Sequence, residues 1–125
     1  MATKSVWAGR AITGLIGVFL FASGINVVFV RSADLAESFA KFGYPPNTLV
    51  PIGLSALVAS VLYMVPRTAV LGAILLTGYL GGAVATHVRI NDPTLVVPVV
   101  VGILVWLGLY LRDERLRTLV PLRRP

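Results

Sequence analysis

Sorted into apolar and polar positions, the chain divides into four long uncharged runs separated by short breaks that carry charge or proline. The runs cover residues 11–30, 47–65, 68–88 and 94–111, and their one ionisable side chain able to turn positive is His87. A helix rises about 1.5 Å per residue, so about twenty residues cross a hydrocarbon core of about 30 Å. The pattern therefore predicts four membrane-spanning helices. The third run is the one the others are expected to pack around. Gly78, Gly82 and Thr86 fall four apart on one ridge, and Gly81 and Ala85 on the next, so neighbouring backbones can approach closely. Gly14, Gly17 and Gly24 give the first helix a similar face. Packing within the chain is the expected use of both faces, with homo-oligomerisation the alternative for Gly78 and Gly82.

The breaks carry their own signals. Residues 33–42 read as a short amphipathic helix lying at the membrane surface. Ser32 is its N-cap and Asp34 its first-turn acid, while Leu35, Phe39 and Phe42 share a face. Gly43 suits the position just past the helix end, and Pro45-Pro46 prevent continuation. Pro66-Arg67-Thr68 is too short for anything but a hairpin between antiparallel neighbours. Asn91-Asp92-Pro93 is a second turn. Pro98 leaves two readings of the fourth helix open, a start near Thr94 with a kink or a start near Pro98. The expected fold is all-α: an integral membrane four-helix bundle, one domain over 1–125, with the amphipathic helix between spans one and two.

Composition supports a lipid solvent. The chain is 57% hydrophobic and only 13% charged, with a mean hydropathy of +0.88, whereas soluble domains carry about 25% charged residues. A soluble fold of 125 residues could not hide that much apolar surface. The net charge of +6 does not point to nucleic acid, because the basic residues flank the runs instead of forming a patch. With both termini on one side, that side holds eight Lys and Arg against three on the other, Arg31, Lys41 and Arg89. The excess predicts N- and C-termini in the cytoplasm, and a basic cytoplasmic tail over 112–125. A cleaved signal peptide is the rival reading of the first run, which is longer than the usual signal core. The chain has no cysteine, so thiol chemistry and Cys-ligated zinc are excluded within it.

Several strings resemble the DoxX-like membrane proteins. Val65-Pro66-Arg67-Thr68-Ala69-Val70-Leu71-Gly72-Ala73 and Thr77-Gly78-Tyr79-Leu80-Gly81-Gly82-Ala83-Val84-Ala85-Thr86-His87-Val88-Arg89 carry most of the likeness. Phe42-Gly43-Tyr44-Pro45, the stretch from Trp106 to Asp113, and Pro121-Leu122-Arg123 add to it, so that it extends from Leu15 onward. The resemblance implies a small four-helix integral membrane protein of bacterial type. It also implies a role like that of the family's namesakes, which are small membrane subunits linked to thiosulfate:quinone oxidoreduction. Where members carry an acid and a lysine late in the first span and a glutamate early in the second, this chain has Ser23, Val27 and Ala56. Intramembrane charges are usually functional, so this departure points away from a charge-dependent activity.

Candidate chemistry is sparse. His87 is the only histidine, near the outer end of the third span with Arg89 and Asp92 beside it. Its imidazole could relay a proton or hydrogen-bond a quinone carbonyl, and Arg89 could hold an anion or a lipid phosphate. The plainer reading has His87 bonded to a nearby carbonyl and Arg89 anchored among headgroups. Asn26, the one amide within a span, lies at a similar outward depth and needs a partner. Asn26, Thr86, His87 and Arg89 thus form the candidate ligand set. There is no paired-carboxylate or Ser/His/Asp arrangement and no metal-ligand cluster, so neither a catalytic residue nor a metal or cofactor is assigned. The expected function is a non-catalytic membrane subunit that binds a quinone or lipid and works with an oxidoreductase partner subunit. A small oligomeric transporter lined by Ser23, Asn26, Ser55, Ser60, Thr77 and Thr86 is the first alternative. A membrane enzyme acting on a lipid-soluble substrate is the second.

Overall fold

The computed structural model describes residues 4–30 and 33–123, and within them the chain is all-helical. Helix α1 spans Lys4–Ile25 and continues as a wider π-helical turn over Asn26–Val30. Helix α2 spans Ala33–Phe42, α3 Leu49–Met64, α4 Ala69–Arg89, α5 Val96–Arg112 and α6 Glu114–Arg117. The Ser32 cap, the Arg31 stop and Arg124 of the tail lie outside the described residues.

Proline sets the helix starts. The 3₁₀ turns Pro46–Thr48, Pro66–Thr68 and Pro93–Leu95 lead into α3, α4 and α5. A helix's first N–H groups have no intrahelical acceptor, so an imino acid loses nothing there. The proline ring also pushes the preceding residue out of the helical region. Val65 and Asp92 are accordingly extended, with ψ of 121° and 118°. The fourth predicted span begins between the two sequence-based alternatives, at Val96 after its 3₁₀ turn. Pro98 is then in the first turn of α5, as Pro51 is in α3, and no kink is required.

Among the described residues, three helical segments are long and apolar enough to cross a membrane: Lys4–Val30, Pro66–Arg89 and Pro93–Arg112. The second predicted span, 47–65, is the one that differs. Its α-helical part, α3, has 16 residues, about 24 Å of rise, which is less than a full hydrocarbon thickness. The prolines on either side confine it. At the amino end α1 starts earlier than the apolar run, because a polar residue ends a membrane span but need not end a helix. Arg10 lies 5.1 Å from the Trp7 ring on that early turn. After α5 the chain folds back instead of trailing. Asp113 accepts a hydrogen bond from the Arg115 backbone N–H at 3.0 Å, and Arg117 Nε donates to the Tyr110 carbonyl at 2.9 Å. A cation on the last carbonyls of a helix is favourable.

Helices α1 and α4 each pack against both α3 and α5. That leaves α3 and α5 on a diagonal, bridged by Tyr63. Its side chain is fully buried, and its hydroxyl donates to the Val105 carbonyl at 2.7 Å. Small and polar side chains form part of the contact surfaces: Ala56, Ala59 and Ser60 on α3, Ala69 and Ala73 on α4, Thr13 on α1. Leu20, Leu76, Val105 and Leu109 fill the interior between them, while Leu15, Phe19, Val58, Leu71, Ile74 and Ile103, all more than half exposed, give the helices an apolar outer surface. This is the distribution expected when the surrounding solvent is as apolar as leucine and helices associate by close packing.

Glycine supplies the closest approaches at positions other than those the sequence pattern favoured. A Cβ at Gly72 would lie 2.2 Å from the Tyr63 backbone N, and one at Gly9 would lie 2.7 Å from the Gly108 carbonyl. Gly17 abuts Met64, and Gly24 abuts Leu57 and the Gly53 carbonyl. Gly14, Gly78, Gly81 and Gly82 have nothing within 4 Å of where a Cβ would stand, and Ala85 is exposed. Among the described residues, the glycines of the ridge expected on the third span therefore take no part in close helix packing. The spacing of small residues identifies a surface that permits close approach, and the partner's position decides whether approach occurs.

Candidate functional site

The C-terminal half of α4 carries the site, and the end of α2 closes it. Helix α2 ends in a left-handed glycine, Gly43, at φ 87°. The Gly43 N–H bonds the Ala40 carbonyl and the Tyr44 N–H bonds the Phe39 carbonyl, both at 3.0 Å. This two-bond cap reverses the chain and brings the Tyr44 ring to 5.6 Å from Phe39. Helix α4 ends the same way, with Asn91 at φ 56° and the Asp92 N–H on the His87 carbonyl at 2.9 Å. Asp92 then accepts from the Thr94 hydroxyl at 2.7 Å and the Thr94 N–H at 2.9 Å. These two bonds, the hydroxyl's first, hold its carboxyl below the usual carboxylate range.

The two caps meet. The Phe42 and His87 rings lie 4.7 Å apart, Tyr44 Oη is 2.7 Å from Thr86 Oγ1, and Arg89 donates to the Phe42 carbonyl. Between them is a cavity of about 350 Å³, within the range that takes a small organic molecule. Phe39, Phe42 and Tyr44 wall it from the α2 side and Ile52 from α3. Its α4 wall includes Gly78 and Gly82, Tyr79, and at the polar edge Thr86 and His87. The two glycines leave open the space that larger side chains would occupy.

Of the predicted ligand set, Thr86 and His87 line this cavity. Arg89 stands just beside it at the α2 cap. Asn26 does not line it, and opens the π turn, a segment that packs against α3. Sequence reasoning missed Tyr44, Tyr79 and the α2 phenylalanines as walls. The signal was present in the periodicity, since Tyr79, Ala83 and His87 fall on one ridge of α4, but nothing local showed that α2 would fold onto that ridge.

The site's polar groups are mostly engaged locally. His87 Nδ1 lies 2.6 Å from the Ala83 carbonyl of its own helix, and Thr86 Oγ1 donates to the Gly82 carbonyl at 2.8 Å. The hydroxyls considered as a transport path behave similarly: Ser55, Ser60 and Thr77 donate to Pro51, Leu57 and Ala73 carbonyls. Such back-bonding satisfies a hydroxyl within an apolar setting. Among the described residues no three of His, Asp and Glu come together.

Apolar helices of spanning length whose outward faces carry large apolar side chains define the class: a small helical membrane protein. The chain belongs to the DoxX-like family, whose sequence model matches residues 11–108. The matched region takes in the cavity and leaves out α6 and the basic tail. No curated protein and no solved structure matches the chain.

Proposed function

We propose that the protein is a non-catalytic membrane component that holds a lipid-soluble ligand, a quinone-type molecule or a lipid, in the cavity between the α2 cap and α4. An oxidoreductase partner subunit would carry any redox centre. In this reading α1, α3, α4 and α5 form a four-helix membrane bundle in the bacterial inner membrane, with α3 short enough to thin the bilayer locally. An even number of spans returns both termini to one side, and eight Lys and Arg against three make that side the cytoplasm. The cavity then opens toward the outer face.

The observation that carries the reading is the cavity itself. It has aromatic walls, two bare glycine positions, and Tyr44, Thr86 and His87 together where the α2 cap meets α4, which is the layout of a site for an apolar molecule with a polar head. The test is photolabelling in proteoliposomes with a photoreactive alkyl quinone analogue in both its oxidised and its reduced, hydroquinone form, followed by peptide mapping of each. Labelling concentrated in residues 39–44 and 78–87 supports the reading. Labelling spread evenly along the apolar surface overturns it. Native mass spectrometry from membranes tests the partner: copurification of a redox subunit is the expected result, and a chain that always emerges alone sinks that part.

A further inference from the structure

The polar edge of the cavity has a definite hydrogen-bonding sense, which follows from counting protons. A carbonyl oxygen can only accept. The Gly82 carbonyl therefore takes the single proton of Thr86 Oγ1, and Thr86 must accept in its contact with Tyr44. That contact in turn takes the Tyr44 hydroxyl proton, leaving the Tyr44 oxygen with acceptor capacity alone. By the same logic the Ala83 carbonyl places the imidazole proton of neutral His87 on Nδ1. Nε2 is left with a lone pair, and no hydrogen bond to it is formed among the described residues. Thr86, Tyr44 and His87 all line the cavity, so its outer edge presents acceptors.

Resting on the ligand-binding reading above, we propose that this edge selects a hydrogen-bond donor, and that the ligand's head is an aromatic hydroxyl of the phenol or hydroquinone class. A quinone carbonyl, itself only an acceptor, would face lone pairs at this edge and leave them unmatched. The aromatic character of the head follows from the walls, where Phe39, Phe42, Tyr44 and Tyr79 offer flat faces and ring edges. Tyr79 can donate or accept and so does not discriminate. Its backbone lies about two helical turns before His87, about 12 Å along α4. Arg89, the nearest strong donor, is outside the lining and turned to the Phe42 carbonyl.

The test uses a diazirine-bearing 4-alkylphenol and its methyl ether, with a straight-chain alcohol as a third probe, on the full chain in nanodiscs. The buffer is held at about pH 8.5, above the ordinary imidazole range. In the parent protein the phenol is expected to label the cavity peptides about tenfold more than the ether, the size of one buried hydrogen bond left unmade. His87→Phe should bring that ratio close to one while the ether labels as before, which also reports that the variant is folded. Thr86→Val takes away the acceptor of the Tyr44 proton and so frees a donor at this edge; it should lower the ratio in the same direction, and Tyr79→Phe should leave it unchanged. Equal cavity labelling by phenol and ether in the parent overturns the donor selection but leaves the cavity reading intact. No cavity labelling by any probe overturns both. An alcohol that labels as strongly as the phenol overturns the aromatic assignment. A ratio lost in Tyr79→Phe and kept in His87→Phe overturns the role given to His87.

Discussion

Gly72 is the position where a single methyl group should do most damage. It lies in the first turn of α4, where that helix crosses the end of α3. An added Cβ would stand 2.2 Å from the Tyr63 backbone N, 2.5 Å from its Cα and 2.7 Å from the Leu62 carbonyl carbon. All three atoms are backbone, so no rotamer change can clear them. Ordinary contact begins at 3.4 Å, so the two helices must part by about 1.2 Å at this point. A gap of that order forfeits a quarter to a half of the dispersion energy between facing atoms, and Tyr63, the diagonal bridge, sits at the crossing. Overpacking of this kind costs about 1–3 kcal/mol, and the absence of a flexible neighbour puts Gly72→Ala at the upper end. The better helix propensity of alanine returns at most about 1 kcal/mol, for a net loss of about 2 kcal/mol. Gly81→Ala is the control, since nothing lies within 4 Å of its added methyl, and it should be neutral or slightly stabilising. The assay is unfolding in mixed micelles of rising SDS fraction, followed by circular dichroism. If Gly72→Ala unfolds at the parent's SDS fraction, or Gly81→Ala falls as far as Gly72→Ala, the packing account is wrong.

Three further substitutions probe other parts of the chain. Gly82→Leu should fill the cavity floor and abolish photolabelling of residues 39–44 without lowering stability, and undiminished labelling would place the ligand elsewhere. Tyr63→Phe removes the hydroxyl donated to the Val105 carbonyl and should cost about 0.6 to 1.7 kcal/mol in the same SDS titration, the range for interhelical bonds in membranes; no change would mean the diagonal bond contributes nothing. Asp92 binds Thr94 best as a carboxylate, and its lowered folded pKa means this stabilisation is full above the unfolded value of about 3.9 and lost as pH falls through the lower folded one. Protection of the Thr94 amide against hydrogen exchange should therefore decline in that acid range, and Asp92→Asn should show no such decline; identical profiles would refute it.

Much of the helical layout was legible along the chain. Each long helix announces itself as an uncharged run, because in lipid a run must satisfy its own backbone and can carry few charges. Its start is marked by a proline whose missing N–H is harmless in a first turn, as Pro66 and Pro93 show. Helix α2 was predicted at 33–42 and found at Ala33–Phe42, since its amphipathic spacing and the left-handed demand on Gly43 are local properties. The lengths of α1 and α3 were harder to read. Hydropathy measures the span, while capping and proline measure the helix, and the two need not coincide.

The site divides along the same line. Covalent order alone determined that this chain has one histidine, no cysteine, and a ridge of α4 carrying Tyr79, Ala83 and His87. Tertiary structure decided what that ridge faces. Helix α2 returns onto it through Tyr44 and Phe42, which keeps Asn26 out of the cavity and brings in aromatic residues from 35 or more positions away along the chain. It also moved the close packing from Gly78, Gly81 and Gly82 to Gly72 and Gly9. The physical reason is that a periodicity specifies which residues share a helix face, while the identity of the neighbour on that face depends on how the helices cross.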